Sequence, residues 1–215
     1  ILISRFFNKN KIIYFNHGIT YLGYSGLYKF LFYLIEIINN FFSDQTITVS
    51  EDMRQNLSKI KPNVKIINNG SACGIDLRNL NYPKFQKDKN KTTILFVGRC
   101  KSRKGLYILI NIFSYFEKHE NVNFLICGFE EDEFFRFSKR KFKNLKFLGF
   151  INNIDEIYQV SDILLLPSLH EGLSYCILEA MKNRTLVFAN DIPGIRNLIT
   201  DNYNGQFLLK KDVNQ

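Results

Sequence analysis

From Thr93 to Leu209, short apolar runs alternate with longer segments of helical spacing, and this rhythm restricts the fold more than any other feature of the chain. The runs are Thr93–Val97, Val122–Cys127, Leu145–Leu148, Ile163–Leu166, Leu186–Ala189 and Gln206–Leu209. Helical segments are predicted between them over Gly105–Lys118, about Glu131–Lys141, Ile154–Gln159, Leu173–Asn183 and Gly194–Thr200. Short buried strands separated by helices predict an α/β fold, a Rossmann-like parallel sheet with helices on both faces. An open sheet of this kind binds ligands beyond the carboxyl ends of its strands. Arg99, Lys104, Gly128, Phe150, Glu171 and Gly172 all follow predicted strand ends.

Upstream the rhythm is looser. Lys11–Phe15 reads as a strand running into Asn16-His17-Gly18, and Tyr28–Asn40 as a helix. Gln45–Ser50 is β-branched and reads as a strand. Ser50 can cap a helix over Glu51–Ile60, whose first turn carries Glu51 and Asp52 and which Pro62 ends. Lys65–Asn68 reads as a short strand before a turn at Asn69-Gly70, and the polar stretch Leu77–Lys91 reads as an interdomain linker.

Composition narrows the function classes. The 215 residues suffice for one large domain or two small ones. The formal charge is +9, with clusters at Lys84–Lys91, Arg99–Lys104 and Arg136–Lys146. A solvated face is the plain reading, then an anionic membrane, then nucleic acid, for which no binding signature is present. Cys73, Cys100, Cys127 and Cys176 are far apart and form no C-x-x-C, so they read as buried free thiols of a reducing compartment. Leu22–Phe42 is long and aromatic, but Lys29, Glu36, Asn39 and Asn40 interrupt it. It reads as an amphipathic helix packed into a core, with bilayer-surface contact as the second reading. No DxD, metal-ligand cluster, G-x-S-x-G or P-loop is present.

Pro167–Glu179 reads PSLHEGLSYCILE and sets Glu171 and Glu179 eight positions apart, with Gly172 after the first. A buried strand feeding a tight turn and a helix start can present amides to phosphates, while carboxylates hold hydroxyls. This stretch resembles the E-x7-E element of the retaining, GT-B-fold glycosyltransferases of family 4. Ile94–Gly105 (ILFVGRCKSRKG) is similar to that family's strand, Gly-Arg and Lys-Gly phosphate loop. Asn69–Asp76 (NGSACGID) is similar to the loop joining the two domains in the bacterial capsule and O-antigen branch, although Ala72 and Cys73 depart from it. Asn190–Ile199 (NDIPGIRNLI) resembles the segment after the last core strand, and His17-Gly18 resembles the first domain's His-Gly.

The resemblance implies residue roles, each beside a plainer alternative. Arg99 and Lys104 match the diphosphate-binding pair, or form an exposed basic loop. Glu171 would lie near the donor sugar's hydroxyls and the reacting face, or serve as a carboxylate favoured at a helix start. Gly172 and Leu173 would offer backbone N–H groups. Glu179 would accept from the ribose hydroxyls, or pair with Lys182 or Asn183. His17 would donate to a sugar hydroxyl or support the transition state, or be an ordinary turn histidine. Gly70 and Ser71 belong to the donor loop. Phe150 would stack on the base or plug the core. Asp191 and Arg196 fit the segment after the last strand or a capping role.

For the whole chain the resemblance implies a fragment. Residues 1–76 would be the end of an N-terminal GT-B domain, 77–91 the linker, and 92–215 a nucleotide-sugar-binding domain truncated at its C-terminal end. The parent would move a hexose or N-acetylhexosamine from a UDP-sugar to a lipid-linked saccharide without a metal or other cofactor. It would work in the cytoplasm or peripherally on the inner face of the plasma membrane. An inactive nucleotide-sugar-binding module or scaffold and a GT-B-fold sugar-nucleotide epimerase remain open as alternatives.

Overall fold

The computed structural model describes residues 11–67, 70, 73–77 and 90–208. Ser71, the Asn69 turn and the expected linker apart from Leu77, Asn90 and Lys91 lie outside the described residues. The chain divides into two compact units. One comprises Ile1–Gly74, His170–Ser174 and Ile192–Asn197, and the other Ile75–Leu169, Tyr175–Asp191 and Leu198–Gln215.

In the first unit, strands β1 (Ile13–Asn16), β2 (Gln45–Thr48) and β3 (Lys65–Ile66) form a parallel sheet in that order. Ile13 pairs with Gln45 and Asn16 with Thr48. Helix α1 spans Gly26–Phe42 and helix α2 spans Glu51–Ser58. Ser50 caps α2 by accepting the Met53 N–H at 3.4 Å, and Glu51 and Asp52 occupy its first turn, where the helix dipole favours negative charge. Ile19, Tyr21, Val49, Met53, Leu57 and Val64 make the core of this unit.

Helix α1 corrects in part the expectation that its apolar side chains pack into the core, since Phe32 packs against the core of this unit but most of the others do not. Its buried residues are Glu36 and Asn40, one turn apart, while Leu27, Tyr28, Phe30, Ile35 and Phe41 are exposed. The reason lies on β1. Tyr14 and Asn16 present polar groups that need a polar partner, and Glu36 supplies it. Among the described residues no helix is long and apolar enough to cross a membrane.

The second unit holds strands β4 (Thr92–Val97), β5 (Val122–Cys127), β6 (Leu145–Gly149), β7 (Ile163–Leu166), β8 (Leu186–Asn190) and β9 (Gln206–Leu208). They form a six-stranded parallel sheet in the order β6-β5-β4-β7-β8-β9. Helices α3 (Leu106–Phe116), α4 (Glu131–Ser138), α5 (Asp155–Val160) and α6 (Tyr175–Lys182) connect the strands. Phe113 is almost fully buried and meets Phe124 at 4.8 Å and Phe134 and Phe142 at 5.9 Å between ring centroids. Truncating such a ring costs about 3–5 kcal/mol. Asp162 locks β4 to β7, accepting the Thr93 N–H on Oδ2 and donating its own N–H to Thr93 O, each at 2.8 Å.

Two helix expectations need correction. Gly194–Thr200 forms turns instead of a helix. Gly194 takes a φ of +84°, outside the helical range, and its N–H donates to Asp52 Oδ2 at 3.4 Å. Helix α6 begins at Tyr175 and not at Leu173, and the Ser174 N–H just before it donates to Gly194 O at 3.3 Å.

Candidate functional site

In the second unit the chain order reverses between β4 and β7, the switch point where open α/β sheets take their ligands. Just beyond β4 the chain folds tightly on itself. Lys101 N–H donates to Arg99 O at 2.8 Å, Lys104 N–H to Lys101 O at 2.8 Å, and Gly105 N–H to Ser102 O at 2.9 Å. These three amides are already used, and the loop also carries the cationic side chains of Arg99, Lys101, Arg103 and Lys104. Arg99 is exposed and Lys104 half-buried, its stem passing within 3.7 Å of where a Gly98 Cβ would stand. Gly105 starts α3 with a φ of +77°, and a Cβ there would lie 2.0 Å from Pro167 O. Only glycine lets this loop lie so close to the end of β7, which is how the sequence fixes Lys104 at the switch point.

Phe150 follows β6 and is 86% exposed, so the alternative that it plugs the core is overturned. Glu179 lies on α6, after β7. Its alternative as a partner for Lys182 or Asn183 also fails at the carboxylate. Lys182 Nζ pairs with Asp155 Oδ2 at 2.6 Å, and Asn183 Nδ2 donates to Asp155 Oδ1 at 2.7 Å and to the Glu179 backbone carbonyl at 2.9 Å. Glu179 Oε2 instead accepts from the Tyr158 hydroxyl at 3.0 Å. Burial raises the Glu179 pKa, opposed by that hydrogen bond. Arg99, Lys104, Phe150 and Glu179 thus all belong to segments that follow carboxyl ends of one sheet.

The first unit gathers the rest. A Cβ at Gly172 would lie 1.9 Å from His17 O, so the segment carrying Glu171 runs directly against the His17 backbone. Glu171 precedes α6 by four residues and is not in its first turn, so the helix-start alternative does not hold. Leu173 packs its side chain against the core of this unit. Gly70 takes a φ of +109°, close against the Val49 carbonyl, and donates its N–H to Ile67 O at 3.0 Å. His17 is exposed, with its ring edge-on to Phe15 at 4.4 Å.

The cysteine expectation is corrected in part. All four are free, but Cys73 is exposed and Cys176 half-buried. Burial pushes the Cys100 and Cys127 thiols up to about 11, so neither is a nucleophile near neutral pH. Among the described residues no group of three or more His, Cys, Asp or Glu side chains could hold a metal ion. Sequence reasoning missed Tyr158, Asn16 and Glu36. Asn16 sits beside the His17-Gly18 motif, Tyr158 lies beside none of the motifs singled out, and Glu36 reads only as an interruption in an apolar helix.

Parallel sheets flanked by helices, with a glycine-tightened basic loop at the switch point, define a Rossmann-like α/β protein. Residues 78–215 match the family described as Glycosyl transferases group 1. That is more than half of the chain, and the chain belongs to this family. An uncharacterized glycosyltransferase of Methanocaldococcus jannaschii is 27% identical over 198 residues, covering 83% of this chain and 50% of the relative. The Staphylococcus aureus capsular polysaccharide biosynthesis glycosyltransferase CapM is 25% identical over 236 residues, covering 98% of this chain and 60% of CapM. The chain therefore spans about half the length of these curated relatives. The crystal structure of Anabaena HepE in complex with UDP-glucose shares the fold, with a TM-score of 0.73 and 19% identity over 96% of this chain and 60% of HepE.

Proposed function

We propose that this chain carries the nucleotide-sugar-binding groups of a retaining family 4 glycosyltransferase. The whole protein would transfer a hexose or N-acetylhexosamine from a UDP-sugar to a lipid-linked saccharide in capsule or O-antigen assembly. Family membership and a capsule-biosynthesis relative support this reading. The observation that carries it is the placement of Arg99, Lys104, Phe150 and Glu179 after strand ends of one sheet.

In this reading Arg99 grips the diphosphate through its forked guanidinium and Lys104 adds a compact positive charge. Together they neutralise the charge that grows on the leaving UDP, and no divalent ion is required. Phe150 stacks on the base, and Glu179 accepts from the ribose hydroxyls. Glu171 and the Gly172 and Leu173 amides face the donor sugar, with Gly70 and Ser71 in the donor loop. His17 donates to a sugar hydroxyl as the diphosphate departs. Leaving and attack on the same face preserve the anomeric configuration. Catalysis comes from positioning and preorganised charge. The enzyme works on the cytoplasmic side, in peripheral contact with the membrane that holds its acceptor.

The test is UDP release and sugar transfer from a panel of UDP-sugars to undecaprenyl-diphosphate-linked acceptors. Turnover with retained configuration, reduced at least about a hundredfold in His17→Ala and Glu171→Gln, is the expected result. UDP binding without turnover on every donor would favour a nucleotide-sugar-binding module. Absence of UDP binding would contradict both readings.

A further inference from the structure

We propose that Tyr158 is a positioning residue that makes Glu179 selective for ribose, its hydroxyl holding Oε2 and leaving Oε1 to accept from the vicinal hydroxyls of a ribonucleotide. The proposal rests on the reading of Glu179 as the ribose-contacting carboxylate.

Tyr158 is completely buried, and its backbone is tied on both sides. Its N–H donates to Ile154 O at 3.1 Å, and its carbonyl accepts from Thr185 Oγ1 at 2.7 Å and from the Ser161 N–H at 3.0 Å. The ring is therefore fixed by packing, and its hydroxyl is a rigid anchor for a carboxylate that would otherwise sample several rotamers. The cation nearest along the same helix acts on Glu179 only through space, because Asp155 takes both Lys182 Nζ and Asn183 Nδ2. A lysine paired with Glu179 would consume its charge. A neutral hydroxyl orients the carboxylate and leaves its charge for the ligand.

The donor is also a dependable one. Burial, Cys176 and Glu179 push the Tyr158 pKa far up, so the hydroxyl keeps its proton. The titratable groups around Glu179 are Tyr158 and Asp155 from α5 and Lys182 from its own helix, with Cys176 beside Tyr158. Burial raises the Glu179 pKa and the Tyr158 bond lowers it. Ribose preference is thus present above the Glu179 pKa and lost as pH falls through it. Removing the hydroxyl moves that midpoint upward. A structural tyrosine would move only stability.

The experiment is calorimetric titration of the 215-residue chain with UDP and with 2′,3′-dideoxy-UDP from pH 4.5 to 8. Wild type, Tyr158→Phe and Glu179→Ala are compared, with circular dichroism confirming the fold of each. Wild type is expected to prefer UDP by about tenfold or more, the worth of a charge-assisted hydrogen bond. Glu179→Ala abolishes the preference. Tyr158→Phe keeps its affinity for the dideoxy ligand, loses about threefold or more of the preference near neutral pH, and loses the rest at a higher pH than wild type. Equal weakening of both ligands in Tyr158→Phe, or an unchanged preference and midpoint, overturns the proposal while leaving Glu179 in place. A wild-type preference that does not vary with pH also overturns it, whether or not the variant folds. A preference that survives Glu179→Ala, or a wild type that binds UDP with no preference or not at all, overturns the underlying reading of Glu179 and the proposal with it.

Discussion

The Asn16 side-chain amide donates to the buried Glu36 carboxylate at 3.0 Å, linking β1 to the middle of α1. The same amide presents its oxygen to the Gly18 N–H at 2.9 Å, so the turn that carries His17 is held from below. Glu36 also accepts from Tyr14 Oη at 3.2 Å and from Asn40 Nδ2 at 2.9 Å. Burial and the Glu36 charge push Tyr14 up to about 12, so it remains a donor. Glu36→Leu would remove the acceptor that Tyr14, Asn16 and Asn40 share, leaving Asn16 only Tyr14 Oη and Asn40 only the residue-36 carbonyl, and should destabilise the first unit by about 1–3 kcal/mol. Glu36→Gln keeps an acceptor and should cost about 1 kcal/mol or less. Hydrogen exchange over β1 and α1 reads both. Equal protection in the two variants would contradict the network's role.

Stability should rise modestly as the solution is acidified from neutral. Burial raises the pKa of both Glu36 and Glu179 above the ordinary 4.5. A group whose folded pKa is raised contributes stability fully below its unfolded value, and loses it as pH climbs through the folded one. The relevant window therefore runs from neutral pH down to about 4.5. Glu51 is shifted the other way, by Arg54, but it lies in the solvent where ion pairs count for little. Thermal melts across this window should show the rise in wild type and a smaller rise in Glu36→Gln. A melting point that falls steadily from pH 7 to 5 in both would contradict it.

Gly105→Ala should disturb the basic loop more than any surface change. The new methyl meets Pro167 O in a backbone conformation that alanine resists. A cost of about 2 kcal/mol or more is expected, with weaker nucleotide binding because Lys104 moves with the loop. Denaturant unfolding and a UDP titration on the same variant check the two effects.

Phe150→Ala separates binding from folding. A ring that is 86% exposed adds little to the core, so the stability change should stay within about 0.5 kcal/mol. Base–aromatic stacking is worth about 1–3 kcal/mol, so UDP affinity should fall by about fivefold or more. Unchanged affinity would remove Phe150 from the site.

The sheet of the second unit was legible where the chain is simplest. Val122–Cys127 and Ile163–Leu166 form strands over the residues that their apolar runs mark. Burial on both faces leaves little else for such runs to do. The segment around Gly194 misled because its local spacing is helical while Gly194 takes a positive φ and bonds to partners distant in sequence, Asp52 and Ser174. Glu36 and Asn40 misled for a related reason. As residues of an apolar helix they read as interruptions, and only the arrival of Tyr14 and Asn16 from β1 turns them into its buried face. At the candidate site, Arg99, Lys104 and Glu179 could be named from motif spacing. Tyr158 could not, because its link to Glu179 spans 21 residues and depends on how α5 packs on α6.

The most direct measurement is calorimetric titration of the chain with UDP, repeated for Arg99→Ala and Lys104→Ala. The account predicts binding that each substitution weakens by about tenfold or more and that falls with rising salt, since both side chains would meet the diphosphate. Binding that neither substitution weakens would contradict the placement of the diphosphate at the loop beyond β4. A folded chain that does not bind UDP would contradict the account as a whole.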